Sequence, residues 1–441
     1  MYLIYSVLFS VGVILTAPFY WWRKGRGQKP DFWAERFGGI PFQETSRGAI
    51  WVHAVSLGET LAVAGLVKEM QRTFPERRIY LSHVTPAGRA AGEVRLPSIA
   101  GRFYLPLDWR WTARKALARV RPALLVIVET ELWPNLLRAA QESGARVVMV
   151  NARMSNRSLR GYQLVRAFMR RVLADVDQIC AQTEEDAERF RQLGAHPERI
   201  RMVGNLKFDA QPPQLGEFAR ALKAALRKTQ RGPVIVAAST MPGEEALVLQ
   251  AWDLIQARYP GALLILAPRH PARFEEVSQD LARAQRGFVR RTTLQVEELP
   301  LSDQLASTSI LFLDTIGELA GVFELADLVF IGGSLVPSGG HNLLEPAYWS
   351  KVIAFGPHME NFRDIAKLFL DAGAAIQVHN PEELAHAAWL LENKEARERL
   401  GANARRVLEQ NSGATARTLM GLRKFLDRDA QGRAPLPHEV K

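Results

Sequence analysis

Short apolar runs alternate along this chain with longer segments of helical character. In the first half the runs lie at residues 49–55, 78–82, 102–106, 124–128, 146–150, 177–181 and 199–203, and in the second half at residues 233–238, 262–267, 310–313, 328–331 and 352–355. Apolar runs of this length, bounded by glycine and polar residues, predict buried strands of a parallel sheet. Strands that alternate with helices indicate doubly wound α/β domains, whose ligands bind beyond the carboxyl ends of the strands.

The length of the chain favours two such domains. At 441 residues it exceeds the size at which a single hydrophobic core stops growing. The alternation stops at Gln211-Pro212-Pro213 and then restarts, which places a boundary near residue 210. We therefore predict an α/β fold of two Rossmann-like, doubly wound domains that face each other across a cleft. The predicted divisions are an N-terminal anchor (residues 1–22), a first domain (23–210), a second domain (211–426) and a polar tail (427–441).

The first 22 residues carry no charged side chain and are followed at once by Arg23, Lys24, Arg26 and Lys29. An apolar helix of about 20 residues is long enough to cross a bilayer. The basic flank predicts that everything downstream lies on the cytoplasmic side. A cleaved signal peptide fits poorly, because the charges follow the apolar run instead of preceding it. We expect an uncleaved anchor that spans the bilayer or lies in its surface.

Composition narrows the class of protein. With 47% apolar and 23% charged residues, the chain is globular and not disordered. The net charge of +11 suggests an anionic partner: nucleic acid, an acidic membrane surface or a phosphorylated substrate. The charge does not choose among them. The single cysteine, Cys180, excludes an internal disulfide and suits a reducing compartment.

A glycine-rich stretch at residues 326–346 organises the second half. It reads as a buried strand, the pair Gly332-Gly333, a loop with a second pair, Gly339-Gly340, and a helix that opens at His341-Asn342. Glycine lets a backbone approach a ligand closely, and the N–H groups of a helix N-terminus attract anions. The loop is therefore a candidate phosphate site; the alternative is a tight strand-to-helix connection without a ligand.

Glutamates follow two of the predicted strands of the first half. Glu59 lies at the start of a helix, and Glu129 and Glu131 follow the most apolar strand. Carboxylates are expensive to bury unpaired, so those two either have a function or pair with a nearby arginine. The arginines of the next loop, Arg153, Arg157 and Arg160, are candidates for contacting phosphates or a membrane, or form a solvated charged face.

Several common chemistries lack their signals. The chain has no GxxxxGK[ST] loop, no GxGxxG in its first strand-loop-helix unit, no HExxH and no CxxC. The DxD match at residues 175–177 lies at the start of a strand, the wrong end for a site. The candidate residues that remain are glutamates, glycines and arginines in the predicted loops. This combination suits group transfer from an activated nucleotide to a hydroxyl. A glutamate can remove the proton, Arg269 can neutralise a phosphate, and Glu318 and Glu345 can accept hydrogen bonds from ribose or base.

Six motifs carry a specific resemblance. They are HAVSLGE (53–59), ETELWP (129–134), GNLKFD (204–209), PRHPxRF (268–274), DTIGEL (314–319) and GGSLVPSGGHNLLEP (332–346). In this order, behind an N-terminal anchor, the set resembles the 3-deoxy-D-manno-octulosonic acid (Kdo) transferases of lipopolysaccharide synthesis. The motifs span most of the chain, and any one of them alone would be weak evidence for this family.

The resemblance implies a GT-B glycosyltransferase with the lipid acceptor on residues 23–210 and the CMP-Kdo donor on residues 211–426. Such an enzyme transfers Kdo with inversion to the tetraacylated lipid A precursor (lipid IVA) at the cytoplasmic leaflet of the bacterial inner membrane. The family implies no metal, no other cofactor and no nucleic acid partner.

The resemblance also implies roles for particular residues. Glu59 matches the general base, and Glu129, in preference to Glu131, and Lys207 match groups that support the transition state. The positions that match the CMP-contacting loops are Pro268, Arg269, Ile316, Gly317, Glu318, Asn342, Leu343, Leu344 and Glu345. Leu343 departs from the proline that is frequent there, which puts nothing catalytic in doubt.

Two other functions stay open at this point. Another GT-B activity, such as a UDP-sugar transferase or epimerase, would share the fold, because fold does not fix chemistry. A membrane-anchored binding protein would use Glu59 only as a helix-start residue favoured by the helix dipole.

Overall fold

A computed structural model of the chain describes residues 1–24, 31–42, 48–209, 215–295, 301–306 and 308–430. The chain forms two compact units. The first comprises Met1–Ala210 together with Asn411–Lys441, and the second comprises Gln211–Gln410. Each unit contains one seven-stranded sheet in which all pairs of neighbouring strands are parallel.

The strands of the first unit are β1 (Ala49–His53), β2 (Ile79–His83), β3 (Gly101–Tyr104), β4 (Pro122–Val128), β5 (Arg146–Ala152), β6 (Gln178–Ala181) and β7 (Ile200–Met202). They are ordered β3-β2-β1-β4-β5-β6-β7. The helices up to this point are α1 (Tyr2–Lys24), α2 (Asp31–Arg36), α3 (Leu57–Thr73), α4 (Pro86–Arg95), α5 (Arg110–Val120), α6 (Pro134–Glu142), α7 (Asn156–Gln163), α8 (Arg166–Ala174) and α9 (Glu184–Gln192). The order of the strands reverses at β1 and β4, so the loops after these two strands meet at a topological switch point.

The strands of the second unit are β8 (Val234–Thr240), β9 (Leu263–Pro268), β10 (Phe288–Arg290), β11 (Ile310–Phe312), β12 (Leu328–Ile331), β13 (Val352–Phe355) and β14 (Ile376–Gln377), ordered β10-β11-β9-β8-β12-β13-β14. Its helices are α10 (Glu217–Thr229), α11 (Glu244–Arg258), α12 (Phe274–Arg283), α13 (Leu301–Gln304), α14 (Leu319–Val322), α15 (Leu344–Tyr348), α16 (Arg363–Asp371), α17 (Pro381–Trp389) and α18 (Lys394–Asn411). Here the switch point lies between β8 and β12. The last helix within the described residues is α19 (Ala414–Ala430).

Most strands follow the predicted apolar runs. β12 and β13 begin and end where the sequence predicts, and β4 is buried at six of its seven residues. A strand covered on both faces needs apolar residues at every position, which is why β4 reads as a continuous run. The sequence did not predict β10 and β14, the two edge strands of the second sheet. They have only three and two residues, and neither contains a fully buried position.

The division of the chain corrects the predicted extent of the second domain and of the tail. Residues from Asn411 onward belong to the first unit, and α19 continues to Ala430, so 211–426 and 427–441 are not the structural divisions. Leu422 and Leu426 of α19 are buried against the core that includes Ile50 of β1. Residues 431–441 lie outside the described residues.

The start of α19 is fixed by the GNLKFD segment. The Asp209 carboxylate accepts hydrogen bonds from the backbone N–H groups of Gly413, at 2.5 Å, and Thr415. Arg417 Nε donates to the Val203 carbonyl at 2.8 Å. A carboxylate that binds the first N–H groups of a helix satisfies donors that otherwise have no partner in the helix.

Helix α1 lies against the first unit through one face. Tyr2 OH donates to Asp175 Oδ2 at 2.6 Å, and Tyr5 OH donates to Asp108 Oδ2 at 2.8 Å. Asp175 also pairs with Arg138 at 3.0 Å, so the DxD segment has a structural role. Seven apolar side chains of α1 are 48% to 77% exposed: Leu3, Ile4, Val7, Leu8, Val11, Ile14 and Leu15.

The membrane-spanning form of the predicted anchor is not confirmed. Among the helices that the structure describes, none has both the length and the hydropathy needed to cross a bilayer.

Replacing Asp209 by alanine should loosen the attachment of α19. Loss of a helix cap costs about 1–2 kcal/mol, so the amide hydrogens of α19 should exchange about 5 to 30 times faster in hydrogen–deuterium exchange. Asp280→Ala on α12 removes only an exposed pair with Arg283 and should leave the exchange of α19 unchanged. Equal exchange of α19 in wild type and Asp209→Ala would show that the cap does not hold the helix.

Candidate active site

Glu59 lies where α3 begins, directly after β1, and is 8% exposed. Its Oε2 accepts from the Val55 N–H at 2.7 Å, and its Oε1 accepts from the Ser56 hydroxyl at 2.8 Å. Ser56 Oγ in turn caps the helix by accepting from the Glu59 N–H at 3.4 Å. The segment Ser-Leu-Gly-Glu thus forms a variant of the capping box, which orients the carboxylate. Burial raises the pKa of Glu59, although the two hydrogen bonds oppose the rise.

Glu129 follows β4, the neighbour of β1 in the sheet. Its backbone has a positive φ of 58°, and its Oε2 accepts from Arg153 Nε at 3.0 Å. The Thr130 hydroxyl also bonds the Arg153 carbonyl, so both residues tie the β4 loop to the β5 loop. Pairing with an arginine, which the sequence left open for the two carboxylates, is therefore what the structure shows for Glu129.

Glu131 differs from Glu129 because it forms no ion pair with any residue in the described part of the chain. Burial, followed by the negative charges of Glu59 and Glu129, raises the pKa of Glu131 from its ordinary value of 4.5 to about 7. Like charges that share a site oppose each other's ionisation. The structure therefore brings three carboxylates together at the switch point of the first sheet, and Glu131 keeps its proton to near-neutral pH.

Lys207 lies in a short 3-10 turn, Leu206–Asp209, after β7. The turn is held to the end of β5 because Asn151 Oδ1 accepts from the Leu206 N–H at 3.0 Å. The Lys207 N–H donates to Asn205 Oδ1 at 3.0 Å. The backbone on which this predicted catalytic lysine stands is thus fixed.

In the second unit, the first glycine pair after β12 serves a buried carboxylate. Glu244, at the start of α11, is fully buried and accepts from the N–H groups of Gly333 (2.6 Å), Ser334 (3.0 Å) and Leu335 (2.9 Å). A Cβ on Gly332 would come within 2.5 Å of the Ser239 carbonyl oxygen. These N–H groups are occupied, which corrects the expectation that this turn holds a phosphate and favours the tight connection there.

The positive charge of the second unit that could meet an anionic ligand lies in another loop, the one after β9. Arg269 and His270 follow β9, and both are exposed. Burial, then the nearby charges of Arg269 and His270, lowers the pKa of His341 to about 4. His341 Nε2 is buried and finds no hydrogen-bond partner among the described residues. His341 is therefore uncharged near neutral pH, and Arg269 carries the positive charge that would favour an anionic ligand at this edge.

The predicted contact segment 342–345 is only partly available to a ligand. Asn342 Oδ1 accepts from the Leu344 N–H and Asn342 Nδ2 donates to Glu345 Oε1, both at 3.1 Å. The side chains of Leu343 and Leu344 are 0% and 3% exposed and belong to the core. The helix begins at Leu344 and has five residues, so its N-terminus lies later than the sequence predicted.

The remaining predicted donor contacts lie after β9 and β11. Pro268 ends β9 and is buried. In the loop after β11, Ile316 is 75% exposed and Gly317 has a φ of 92°. The Glu318 carboxylate accepts from Arg291 Nη2 at 2.9 Å and from Arg291 Nε at 3.0 Å.

The sequence did not single out Glu244, Arg291 or His341 as functional residues. His341 stands inside a predicted loop, where an imidazole flanked by glycines and asparagine was a usable signal. Glu244 and Arg291 act on segments far along the chain, and nothing in the local pattern reports such contacts. No group of three potential metal ligands lies together within the described ranges.

The pKa of Glu131 should respond to Glu59. In Glu59→Gln one negative neighbour is removed, so Glu131 should titrate below its wild-type pKa of about 7. The measurement is a carbon-13 NMR titration of glutamate side-chain carboxyls, assigned by the signal lost in Glu131→Gln. Glu69→Gln, an exposed change on the same helix, should leave the titration unchanged. An unshifted titration in Glu59→Gln would refute the coupling.

The same proton has a defined effect on stability. Glu131 keeps its proton up to about pH 7 in the folded chain, whereas in the unfolded chain it loses the proton near pH 4.5. The contribution of this proton to the free energy of unfolding is therefore fully present below pH 4.5 and is lost as the pH rises through about 7.

Known proteins resemble this chain over most of its length. Residues 31–210 match the family model of 3-deoxy-D-manno-octulosonic-acid transferase (kdotransferase). The chain is 34% identical over 384 residues to the 3-deoxy-D-manno-octulosonic acid transferase of Haemophilus influenzae, covering 86% of this chain and 88% of that protein. It is 36% identical over 428 residues to the enzyme of the same name from Bordetella pertussis, covering 93% and 97%.

Solved structures agree on the fold. A glycosyltransferase from Rickettsia africae superposes with a TM-score of 0.53 at 12% identity, over 87% of this chain and 99% of that one, which shows the fold alone. Both units therefore have the parallel-sheet architecture of GT-B glycosyltransferases. The chain belongs to the Kdo transferases, the glycosyltransferases that add Kdo in lipopolysaccharide synthesis.

Proposed function

We propose that this protein transfers Kdo from CMP-Kdo to a hydroxyl of the tetraacylated lipid A precursor, lipid IVA, with inversion at the anomeric carbon. The observation that carries the proposal is Glu59, a buried carboxylate oriented by two hydrogen bonds, whose pKa burial raises. A general base works best when its pKa lies near the operating pH, so burial makes Glu59 a better proton acceptor than an exposed glutamate.

The chemistry assigned to Glu59 is a single proton transfer. As the acceptor hydroxyl attacks the anomeric carbon of Kdo, its proton passes to the Glu59 carboxylate and a carbon–oxygen bond forms. The bond between the anomeric carbon and the phosphate oxygen breaks on the opposite face, and CMP leaves as an anion. The exposed Arg269 supplies positive charge for that anion.

The neighbouring carboxylates keep Glu59 usable as a base. Glu131 retains its proton near neutral pH, and the charge of Glu129 is balanced by Arg153. Were all three ionised and unpaired, their repulsion would favour protonation of Glu59 before the reaction. We assign Glu129 and Lys207 to supporting the transition state, as their match to the family motifs suggests.

Replacing Glu59 by glutamine tests the assignment sharply. Glutamine can still accept the Val55 N–H and fits a capping box, so the fold should be retained while the base is lost. Transfer of Kdo to lipid IVA, measured by mass spectrometry with purified protein and CMP-Kdo, should fall by about two orders of magnitude or more. The matched control is Glu69→Gln, an exposed change on the same helix.

Each result has a distinct meaning. Full activity of Glu59→Gln at unchanged thermal stability would remove Glu59 as the base. Absence of product from the wild-type protein, with transfer from a UDP-sugar instead, would replace the donor and overturn the proposed reaction.

We further propose that the enzyme works at the cytoplasmic leaflet of the inner membrane, with α1 lying in the bilayer surface. The support is the orientation of α1: Tyr2 and Tyr5 bond the protein body, whereas the seven exposed apolar side chains described above lie away from it. A helix with one apolar face left open to the outside is suited to an interface. The net charge of +11 favours an anionic leaflet.

The double variant Leu8→Glu/Leu15→Glu should weaken binding to vesicles that contain anionic lipid. Both side chains are more than 60% exposed, so the protein fold should be unaffected. Flotation assays should show a loss of membrane partition of about tenfold or more, because each leucine contributes on the order of 1.5–3 kcal/mol when buried. Met420→Glu, a similarly exposed apolar position on α19, is the control. Unchanged flotation of the double variant would exclude α1 as the contact.

A further inference from the structure

Three consecutive residues, beginning with the last residue of β10, hold the loop that follows β11. Arg290 Nε donates to Asp314 Oδ2 at 2.7 Å. The Thr292 N–H donates to Asp314 Oδ1 at 2.9 Å, and its hydroxyl donates to Oδ2 at 2.6 Å. Asp314 is only 6% exposed. The start of the loop is therefore fixed without any contribution from Arg291, which lies between these two residues.

Arg291 instead contacts the far end of the same loop, at Glu318. The pair is formed in the fork geometry that guanidinium and carboxylate groups prefer, with Nη2 at 2.9 Å from Oε1 and Nε at 3.0 Å from Oε2. The Arg291 guanidinium also lies over the ring of Phe218 on α10, 4.1 Å from its centroid. The side chains of Arg291 and Glu318 are 17% and 26% exposed, so the pair is largely shielded from solvent.

We propose that Arg291 is a positioning residue that orients Glu318 to accept one ribose hydroxyl of the nucleotide, and that it thereby sets the preference for a nucleotide that carries this hydroxyl. This inference rests on the proposed function, because it requires that a cytidine nucleotide bind to the second unit. Arg291 itself does not contact the nucleotide.

The hydrogen-bonding capacity of Glu318 supports a single further contact. An ionised carboxylate offers about four lone-pair sites. Arg291 Nη2, Arg291 Nε and the Thr315 hydroxyl occupy about three of them. Arg291 Nε carries one hydrogen, and this nitrogen lies 3.0 Å from Oε2 and makes only a longer contact of 3.2 Å to Oε1. The site left for a further donor is therefore on Oε1, which Thr315 does not contact. One hydroxyl of a ribose is a suitable donor for that site.

The rest of the loop is shaped for a ligand and not for packing. Ile316 leaves 75% of its side chain exposed, although the loop on which it stands is anchored at both ends. A large exposed apolar side chain on a fixed loop provides a surface for a base or sugar face. If the Arg291–Glu318 pair only stabilised the loop, its loss would weaken the binding of CMP and of deoxy-CMP equally. The ratio of the two affinities therefore distinguishes a positioning role of Arg291 from a purely structural one.

The experiment measures dissociation constants for CMP, 2′-deoxy-CMP and 3′-deoxy-CMP by isothermal titration calorimetry. Wild-type protein should bind CMP about tenfold or more tightly than one of the two deoxy nucleotides, because a hydrogen bond to a charged group is lost. Arg291→Lys keeps the charge but loses the fork geometry and the stacking. Its affinity for CMP should fall by about tenfold, with little change for the discriminated deoxy nucleotide.

Arg258→Lys is the matched control. Arg258 makes the same kind of contact, with Nε 2.7 Å from Glu392 Oε1, Nη2 2.8 Å from Oε2, and its guanidinium over Trp389, yet it lies at the end of α11. Its replacement should leave the ratio of CMP to deoxy-CMP affinity unchanged. Phe218→Leu removes the ring over which the Arg291 guanidinium lies and keeps an apolar side chain at this buried position, so it should reduce the ratio in the same direction but less.

The outcomes separate the inference from the function on which it rests. If wild-type protein does not bind CMP, the proposed donor fails. If it binds CMP without discriminating against either deoxy nucleotide, or if Arg291→Lys and Phe218→Leu both keep the wild-type ratio, the positioning role of Arg291 is overturned while the donor assignment stands. Should Arg291→Lys melt at a lower temperature than wild type, the ratio in Phe218→Leu decides.

Discussion

The N–H groups of Gly333, Ser334 and Leu335 converge on one buried carboxylate, that of Glu244, and the position of the glycine loop in the second unit depends on this contact. A buried charge is tolerated only when it is paired or fully hydrogen-bonded, so neither partner can be changed alone. Glu59 binds the Val55 N–H in a comparable way in the first unit. Both loops owe their shape to a side chain placed at the start of the helix in the same unit.

This arrangement separates the groups that shape the loops from those that can meet a ligand. The carboxylates of Glu244 and Asp314 are buried and engaged with backbone or side-chain donors. By contrast, Arg269 and Ile316 are exposed, and they lie on loops whose conformation is fixed by contacts of other residues. Preorganised loops of this kind lose little conformational freedom on binding, which is how a site keeps its affinity for a charged and flexible substrate.

Much of this organisation could be predicted from the sequence, and the failures have physical causes. β4 was predictable because a strand covered on both faces must be apolar throughout, and Glu59 because a polar residue beyond such a strand lies at the ligand-binding edge. β10 and β14 are short edge strands whose pairing depends on neighbours far along the chain. The contact of Glu244 with Gly333 spans 89 residues, and no local spacing reports it. The glycine pair resembled a phosphate-binding loop because backbone N–H groups bind a carboxylate and a phosphate in the same arrangement.

The return of the chain to the first unit determines when each part can fold during synthesis. Leu422 and Leu426 belong to a core that begins with β1, so the chain must be synthesised through residue 426 before the first unit can close around α19. The second unit is continuous from Gln211 to Gln410 and contains all of its own strands. The second unit can therefore fold before the first is complete. Until α19 is synthesised, the apolar residues of the first unit that contact Leu422 and Leu426 remain uncovered. Truncations at the C-terminus should accordingly be read as lesions of the first unit.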